Sequence, residues 1–331
     1  MPDPSASPQP PTPPQKPAKR RSRFWLFAPY VALLVAVLAW SAVWWVERLR
    51  LEQVLTKRAA ALEQQGYTAR WSGLKIDGWP FRLHVTLAGP KAGDSAGWTL
   101  QAPRIEIVAL AYAPTTWGFS APDGLTLTRP GKGALNVSGR AIRASIGGLG
   151  SAAPRLSFEG DSLVLAPAQG ARPADFSTID KLELHLQPGP DDQAAFLLRV
   201  EGGALRPEAG IAKLASGKPF GLVWDSRLTK LAALRGSNWP GALQAWRYAG
   251  GLMTVANAQI AIGGLKLKGE GGPLTVDTDG RLSGQLPLKL DAGGVNGLMG
   301  ALGLLGPVPL TFKDGRASIG PSPIGAALKI G

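Results

Sequence analysis

The hexapeptide RLHVTL, Arg82–Leu87, sets Leu83, Val85 and Leu87 against Arg82, His84 and Thr86. Successive side chains of an extended chain point to opposite faces, so this alternation predicts a strand with one apolar and one polar side. Working outward, the period of two recurs in RIEIVAL (104–110), LTLTR (125–129), ALNVSG (134–139), RLSF (155–158), DSLVL (161–165), KLELHL (181–186) and AAFLLRV (194–200). It returns in LKLKGE (265–270), LTVDT (274–278), LSGQLPLKL (282–290), VPLTF (308–312) and IGAALKI (324–330). Between these runs stand Asp77-Gly78, Asp123-Gly124, Pro188-Gly189, Asp279-Gly280 and Asp314-Gly315, pairs suited to tight turns. The expected fold is mainly β, a large curved antiparallel sheet in meander order with a few short helices.

Helical periodicity is scarce in this region. Residues 228–235 and 239–249 form one candidate pair, the second with Asn238 as cap and Pro240 in its first turn; Gly294 to Leu305 is a third candidate. Three short helices cannot cover the apolar face of so large a sheet. It is expected to curl onto itself, to pack as two sheets, or to leave a groove for an apolar ligand.

Upstream of the strands, FWLFAPYVALLVAVLAWSAVWWV, Phe24–Val46, carries no charge. At 1.5 Å per residue it reaches ~34 Å, enough to cross a hydrocarbon core of about 30 Å. Trp25 near one end and Trp40, Trp44 and Trp45 near the other are placed as interfacial belts, and Pro29 falls in the first turns, where a missing donor matters least. The basic cluster Lys19–Arg23 precedes it, after a proline-rich tail. The positive-inside rule then predicts a single-pass inner-membrane protein with residues 1–23 cytoplasmic and the rest periplasmic. A signal peptide cut near Ala39-Trp40-Ser41 is the alternative; the polar tail and long apolar run favour a retained anchor. Glu47 to Gly66 reads as an amphipathic juxtamembrane helix with Leu51, Val54, Leu55, Arg58 and Leu62 at helical spacing and Gly66 as the stop. The plan is thus tail 1–23, span 24–46, helix 47–66 and β-domain 67–331, the last read as two similar halves meeting near 205–250.

Composition narrows the chemistry. Gly (43) and Pro (29) suit many turns, and the absence of Cys removes disulfides, thiol nucleophiles and zinc–thiolate sites. Of the formal net charge of +13, residues 1–23 hold +4 and residues 24–46 none, so residues 47–331 hold 13 − 4 = +9, which would draw a tethered domain toward anionic head groups or another anionic envelope ligand. Two histidines exist, His84 and His185, both out of phase with apolar neighbours and so on the polar face of their strands. Asp191-Asp192 sits beside Pro188, Gly189 and Pro190, a solvated turn rather than a metal site. No phosphate loop, dinucleotide fingerprint, nucleophile elbow or nucleic-acid module is present, and no enzyme, cofactor or nucleic-acid partner is expected.

Gly66-Tyr67, Trp71 and Ile76-Asp77-Gly78-Trp79-Pro80-Phe81-Arg82-Leu83 resemble the opening signature of a family catalogued as domain of unknown function 2125, with Trp79 where Phe is more usual. Gly250 to Val255, Leu274 to Gly284 and Asp314 to Pro321 resemble its second half. The resemblance implies an anchored, strand-rich envelope protein and brings no catalytic residues. A more distant similarity to AsmA-like envelope proteins implies lipid handling along a curved β-surface. By turn chemistry alone Gly78, Trp79, Pro80, Phe81 and Arg82 form a structural corner of unassigned role. Trp79 and Phe81 are expected against the juxtamembrane helix, and Arg82 toward the polar face or lipid phosphates. Lipid binding along an apolar groove is the leading expectation, a non-catalytic scaffold the alternative, and a hydrolase would need His84 or His185 in a pocket.

Overall fold

The computed structural model describes residues 24–149, 153–234, 239–290 and 308–330; the proline-rich tail, the Asn238 cap and the helix expected at 294–305 lie outside them. Phe24–Gln64 form one unbroken helix, α1, of 41 residues. Span and juxtamembrane segments are therefore a single rod, roughly 60 Å long at the usual rise, and it is long and apolar enough to cross a membrane. Gly66, at φ 84°, ends it. Tyr67 N–H returns to the Leu62 carbonyl and Gly66 N–H to that of Glu63, both at 3.0 Å, the Schellman pattern that satisfies the last carbonyls.

The strands that follow form one antiparallel sheet. The early ones are long runs broken in the middle: β1 (Thr68–Arg70) with β2 (Gly73–Asp77), β3 (Arg82–Ala88) with β4 (Lys91–Gly93), β5 (Thr99–Gln101) with β6 (Arg104–Leu110), β7 (Ala113–Ser120) with β8 (Leu125–Arg129), and β9 (Gly133–Ser138) with β10 (Ala141–Gly147). Their halves pair in two parallel tracks, β2–β3–β6–β7–β10 and β1–β4–β5–β8–β9. Pro90, Pro103 and Pro122 stand at the breaks. A proline offers no N–H to a ladder, so regular pairing lapses there; single bonds such as Gly89 N–H to the Pro103 carbonyl, 2.8 Å, bridge the crease.

Both tracks end on β11 (Arg155–Pro167), which pairs with β10 before Ser162 and with β9 after it. Ser162, at φ 53°, absorbs the change, so RLSF and DSLVL are one strand rather than two. β12 (Phe176–Pro188), β13 (Gln193–Leu205), β14 (Phe220–Thr229) and β15 (Met253–Ile262) continue the meander. β16 (Leu265–Gly269) and β17 (Pro273–Val276) share the space between β15 and β18 (Leu282–Leu290), and β19 (Val308–Lys313), β20 (Arg316–Ile319) and β21 (Ser322–Ala326) complete the sheet. Lys329 then bridges Arg281, and Leu282 N–H donates to the Leu328 carbonyl at 3.0 Å, bringing the last residues back to the start of β18.

The short helices differ from expectation in two places. Leu228 and Thr229 still belong to β14, Lys230 breaks the strand at φ 56°, and only Leu231–Leu234 turn, as a 3-10 helix. The alternation of Leu228 with Thr229 won over helical spacing. The next helix, Trp239–Tyr248, falls where expected, and a four-residue helix, Ala212–Ala215, lies unpredicted between β13 and β14. In chain order these are α2 (Ala212–Ala215) and α3 (Trp239–Tyr248).

The register produces a feature of the whole sheet. Ile76, Val85, Ile107, Phe119, Ala144, Phe158, Leu184, Leu198, Trp224, Ala258, Gly269 and Leu288 lie opposite one another in turn, from β2 to β18. Partners in an antiparallel ladder share a face, so this is one uninterrupted apolar row. The adjoining row on the other face is Lys75, Thr86, Glu106, Ser120, Arg143, Glu159, Glu183 and Arg199. The alternation first seen in RLHVTL thus holds one face apolar across almost the entire meander.

Candidate functional site

Gly78–Phe81 turn the chain between β2 and β3. Gly78 sits at φ 102°, and a Cβ there would stand 2.8 Å from the Arg82 carbonyl oxygen, so conformation and space both require glycine. The turn is held by α1 through its backbone. Trp40 Nε1 donates to the Pro80 carbonyl at 2.8 Å, and Trp44 Nε1 donates to the Arg82 carbonyl at 2.9 Å. Trp79 Nε1 donates to Ser41 Oγ at 3.2 Å. Trp44 is only 6% exposed, whereas its neighbour Trp45 points outward with the Arg48 guanidinium 4.9 Å from its ring centroid.

These contacts redraw two expectations. Trp40 and Trp44, read as a belt facing lipid, face the protein. Trp79, expected against the helix, does reach it through Ser41 yet stays 53% exposed, and Phe81 is 62% exposed. Farther along, Leu51 and Leu55 continue the same helical face onto Ile76, Val85 and Ile107, while Val54 and Leu62 are exposed. Residues 40, 44, 51 and 55 share one face at 3.6 residues per turn, a stripe that runs straight through the span boundary. That spacing was the signal in the sequence, and dividing the helix at Glu47 concealed it. The adjacent turn between β6 and β7 joins the corner: Ala111 N–H donates to the Phe81 carbonyl at 2.9 Å, and Tyr112 is 65% exposed.

The apolar row meets its surroundings differently along its length. Its first members lie under α1, and its last, Trp224, Ala258 and Leu288, are buried in a cluster with Leu243 and Trp246 of α3. In between, Phe119, Ala144, Phe158, Leu184 and Leu198 are half-buried. So are Trp117, Ile146, Leu186 and Phe196 in the next row, and Leu156 beside them is exposed. Phe158, Leu186, Phe196 and Leu198 pack against the buried C-terminal cluster, and Trp117 and Phe119 against Ile76, Val85 and Ile107; α1 packs at the β1–β3 end and α3 at the 3-10 helix and β17. The middle strands therefore carry a half-buried apolar face, covered by neither α1 nor α3, that begins beside the Trp44 end of α1.

On the opposite face charges are paired. Glu183 lies 2.6 Å from Lys181 Nζ and 3.3 Å from an Arg199 guanidinium nitrogen. The Lys181 ammonium foremost, with Arg199 adding, holds the Glu183 carboxyl below the usual carboxylate range. His84 Nδ1 sits 2.9 Å from Asp77 Oδ1, and His185 lies opposite Ser157 and Leu197. They occupy β3 and β12 and are not brought together. Asp192 Oδ1 accepts the Ala232 N–H at 2.6 Å, tying the β12–β13 turn to the 3-10 helix. Among the described residues no three His, Asp or Glu side chains converge as a metal site requires. The turns Asp279-Gly280-Arg281 and Asp314-Gly315-Arg316 line an open cleft of about 1080 Å³, where Arg281 spends its guanidinium on the Ala327 carbonyl at 3.0 Å.

The sequence profile of a bacterial family described as an uncharacterized protein conserved in bacteria (DUF2125) matches residues 44–307. The chain belongs to that family. Its DUF2125 stretch opens at Trp44, the residue docked on Arg82, and takes in the Gly78–Arg82 corner and the whole apolar row. No protein of curated function and no solved structure matches the chain. DUF2125 membership therefore adds a family and no chemistry, and the geometry carries the functional argument.

Proposed function

We propose that the chain is a single-pass protein of the bacterial envelope that holds or guides lipid acyl chains along the apolar face of its sheet, without catalysing a reaction. The observation that carries this reading is the row from Ile76 to Leu288, covered at both ends and half-buried across β7–β13. A contiguous apolar face left partly open marks a binding surface, and an acyl chain is the apolar ligand closest at hand to a membrane-tethered sheet. The unbroken α1 supports retention of the anchor. Trp40, Ser41 and Trp44, on both sides of the candidate cleavage site, are bonded to the sheet's first turn, so the span is part of the fold. The basic charge suits anionic head groups at the exported surface.

One observation favours a scaffold instead: Leu274, Leu286 and Leu288 are fully buried at the closed C-terminal end. The two readings part in a titration. A phospholipid carrying the fluorophore NBD on an acyl chain, added to the full-length chain in amphipol, should give blue-shifted emission that saturates. Emission that rises in proportion to lipid, without saturation, would support the scaffold.

A further inference from the structure

We infer that the sheet itself enters the bilayer: the turns Gly78–Phe81 and Ala111–Tyr112 form a second membrane contact, seated beside α1 at the level of head groups and upper acyl chains. This rests on α1 being the membrane anchor and adds the depth and the route by which lipid would reach the apolar row. Trp40 precedes Glu47, the first charged residue of the helix after its apolar run, by seven positions. At about 1.5 Å per residue it lies roughly 10 Å below that charge. Its indole is bonded to the Pro80 carbonyl, and that of Trp44 to the Arg82 carbonyl. A turn fixed to the span at that depth cannot stand in bulk water while the span stands in lipid.

The chemistry of the two turns fits the placement. Trp79, Phe81 and Tyr112 are exposed on the corner, and aromatic rings belong at the head-group level. Backbone groups near hydrocarbon need partners, and the corner supplies them. Arg82 N–H returns to the Gly78 carbonyl, Ala111 N–H to that of Phe81, and the two indoles take the Pro80 and Arg82 carbonyls. The opposite edge of the same strands carries Asp94, Ser95 and Lys132 in its turns, beside the exposed Trp98. Along the near edge the aromatic character gives out by the β12–β13 turn, where Asp191 and Asp192 stand. A sheet twist of about 20–25° per strand carries those later turns away from the anchor. The apolar row nearest this edge runs from Leu83 and Ala109, both buried, to the half-buried Trp117, and it is at Trp117 that an acyl chain in the leaflet first meets the sheet without crossing water.

The absence of native cysteine allows single nitroxide labels on the full-length chain. Phe81→Cys, Tyr112→Cys, Ala96→Cys and Val31→Cys, all at exposed positions, are labelled in phosphatidylcholine–phosphatidylglycerol vesicles. Collision with oxygen is compared with collision with a water-soluble nickel chelate. Labels at 81 and 112 should show an oxygen-to-nickel ratio several-fold above that at 96, with 31 higher still. Ratios at 81 and 112 equal to that at 96, with 31 still high, would overturn the inference and leave the anchor standing. A ratio at 31 as low as at 96 would remove the anchor reading and the inference together.

Discussion

Trp44→Ala is expected to destabilise the full-length chain by about 3–5 kcal/mol, the cost of deleting a large buried side chain with partial collapse around the gap. Trp44 is 6% exposed, donates to the Arg82 carbonyl and closes the corner where helix and sheet meet. Two companions separate its contributions. Trp44→Phe keeps most of the ring and loses the N–H, leaving the Arg82 carbonyl short of a partner, for about 1–3 kcal/mol. Trp45→Ala, on the exposed side of the same turn of helix, should fall within about 0.5 kcal/mol of wild type. Urea midpoints of the detergent-held chain measure all three. A Trp44→Ala midpoint matching that of Trp45→Ala would mean that the helix does not dock on the corner.

The second large effect is on lipid. Phe158→Arg combined with Leu184→Arg places two cations at facing positions on β11 and β12, in the half-buried middle of the apolar row. An arginine among acyl chains costs about 2.5–3.5 kcal/mol, and each 1.4 kcal/mol is about tenfold in affinity. Saturable binding of the labelled phospholipid should weaken at least tenfold. Glu159→Lys, next in sequence and on the polar face, changes the charge with no effect on that path and should bind as wild type does. Equal losses in both would show that net charge, and not the apolar face, governs binding.

The sheet was legible because its signal is local. Leu83, Val85 and Leu87 alternate with polar residues, and LSGQLPLKL coincides with β18 to the residue. Turns were legible where glycine supplies a positive φ, as at Gly78, Gly124, Gly280 and Gly315. What escaped were features made by distant partners. That β9 and β10 meet the two halves of one β11 follows from the register, and no short window of sequence contains it. Likewise the continuous row from Ile76 to Leu288 needs every pairing in place before it exists.

The candidate site shows the same division. Gly78, Trp79, Pro80, Phe81 and Arg82 stood out as a corner by turn chemistry alone. Their attachment to Trp40 and Trp44 was hidden because an aromatic residue near the end of an apolar span has two physical uses, facing lipid or facing protein. Composition does not distinguish them; the helical phase shared with Leu51 and Leu55 does. Asp192 is a smaller case, a turn carboxylate that proves to hold the 3-10 helix through the Ala232 N–H.

The central claim, that lipid lies on one particular face of the sheet, is tested most directly by two adjacent residues. Phe158 and Glu159 follow each other on β11 and point to opposite faces. A photoactivatable benzoyl-phenylalanine is placed at one position or the other in the full-length chain, and native membranes are irradiated. Adducts are then identified by mass spectrometry. A phospholipid adduct at 158 with none at 159 is the predicted result; equal labelling at both positions, or lipid at 159 alone, would contradict the account.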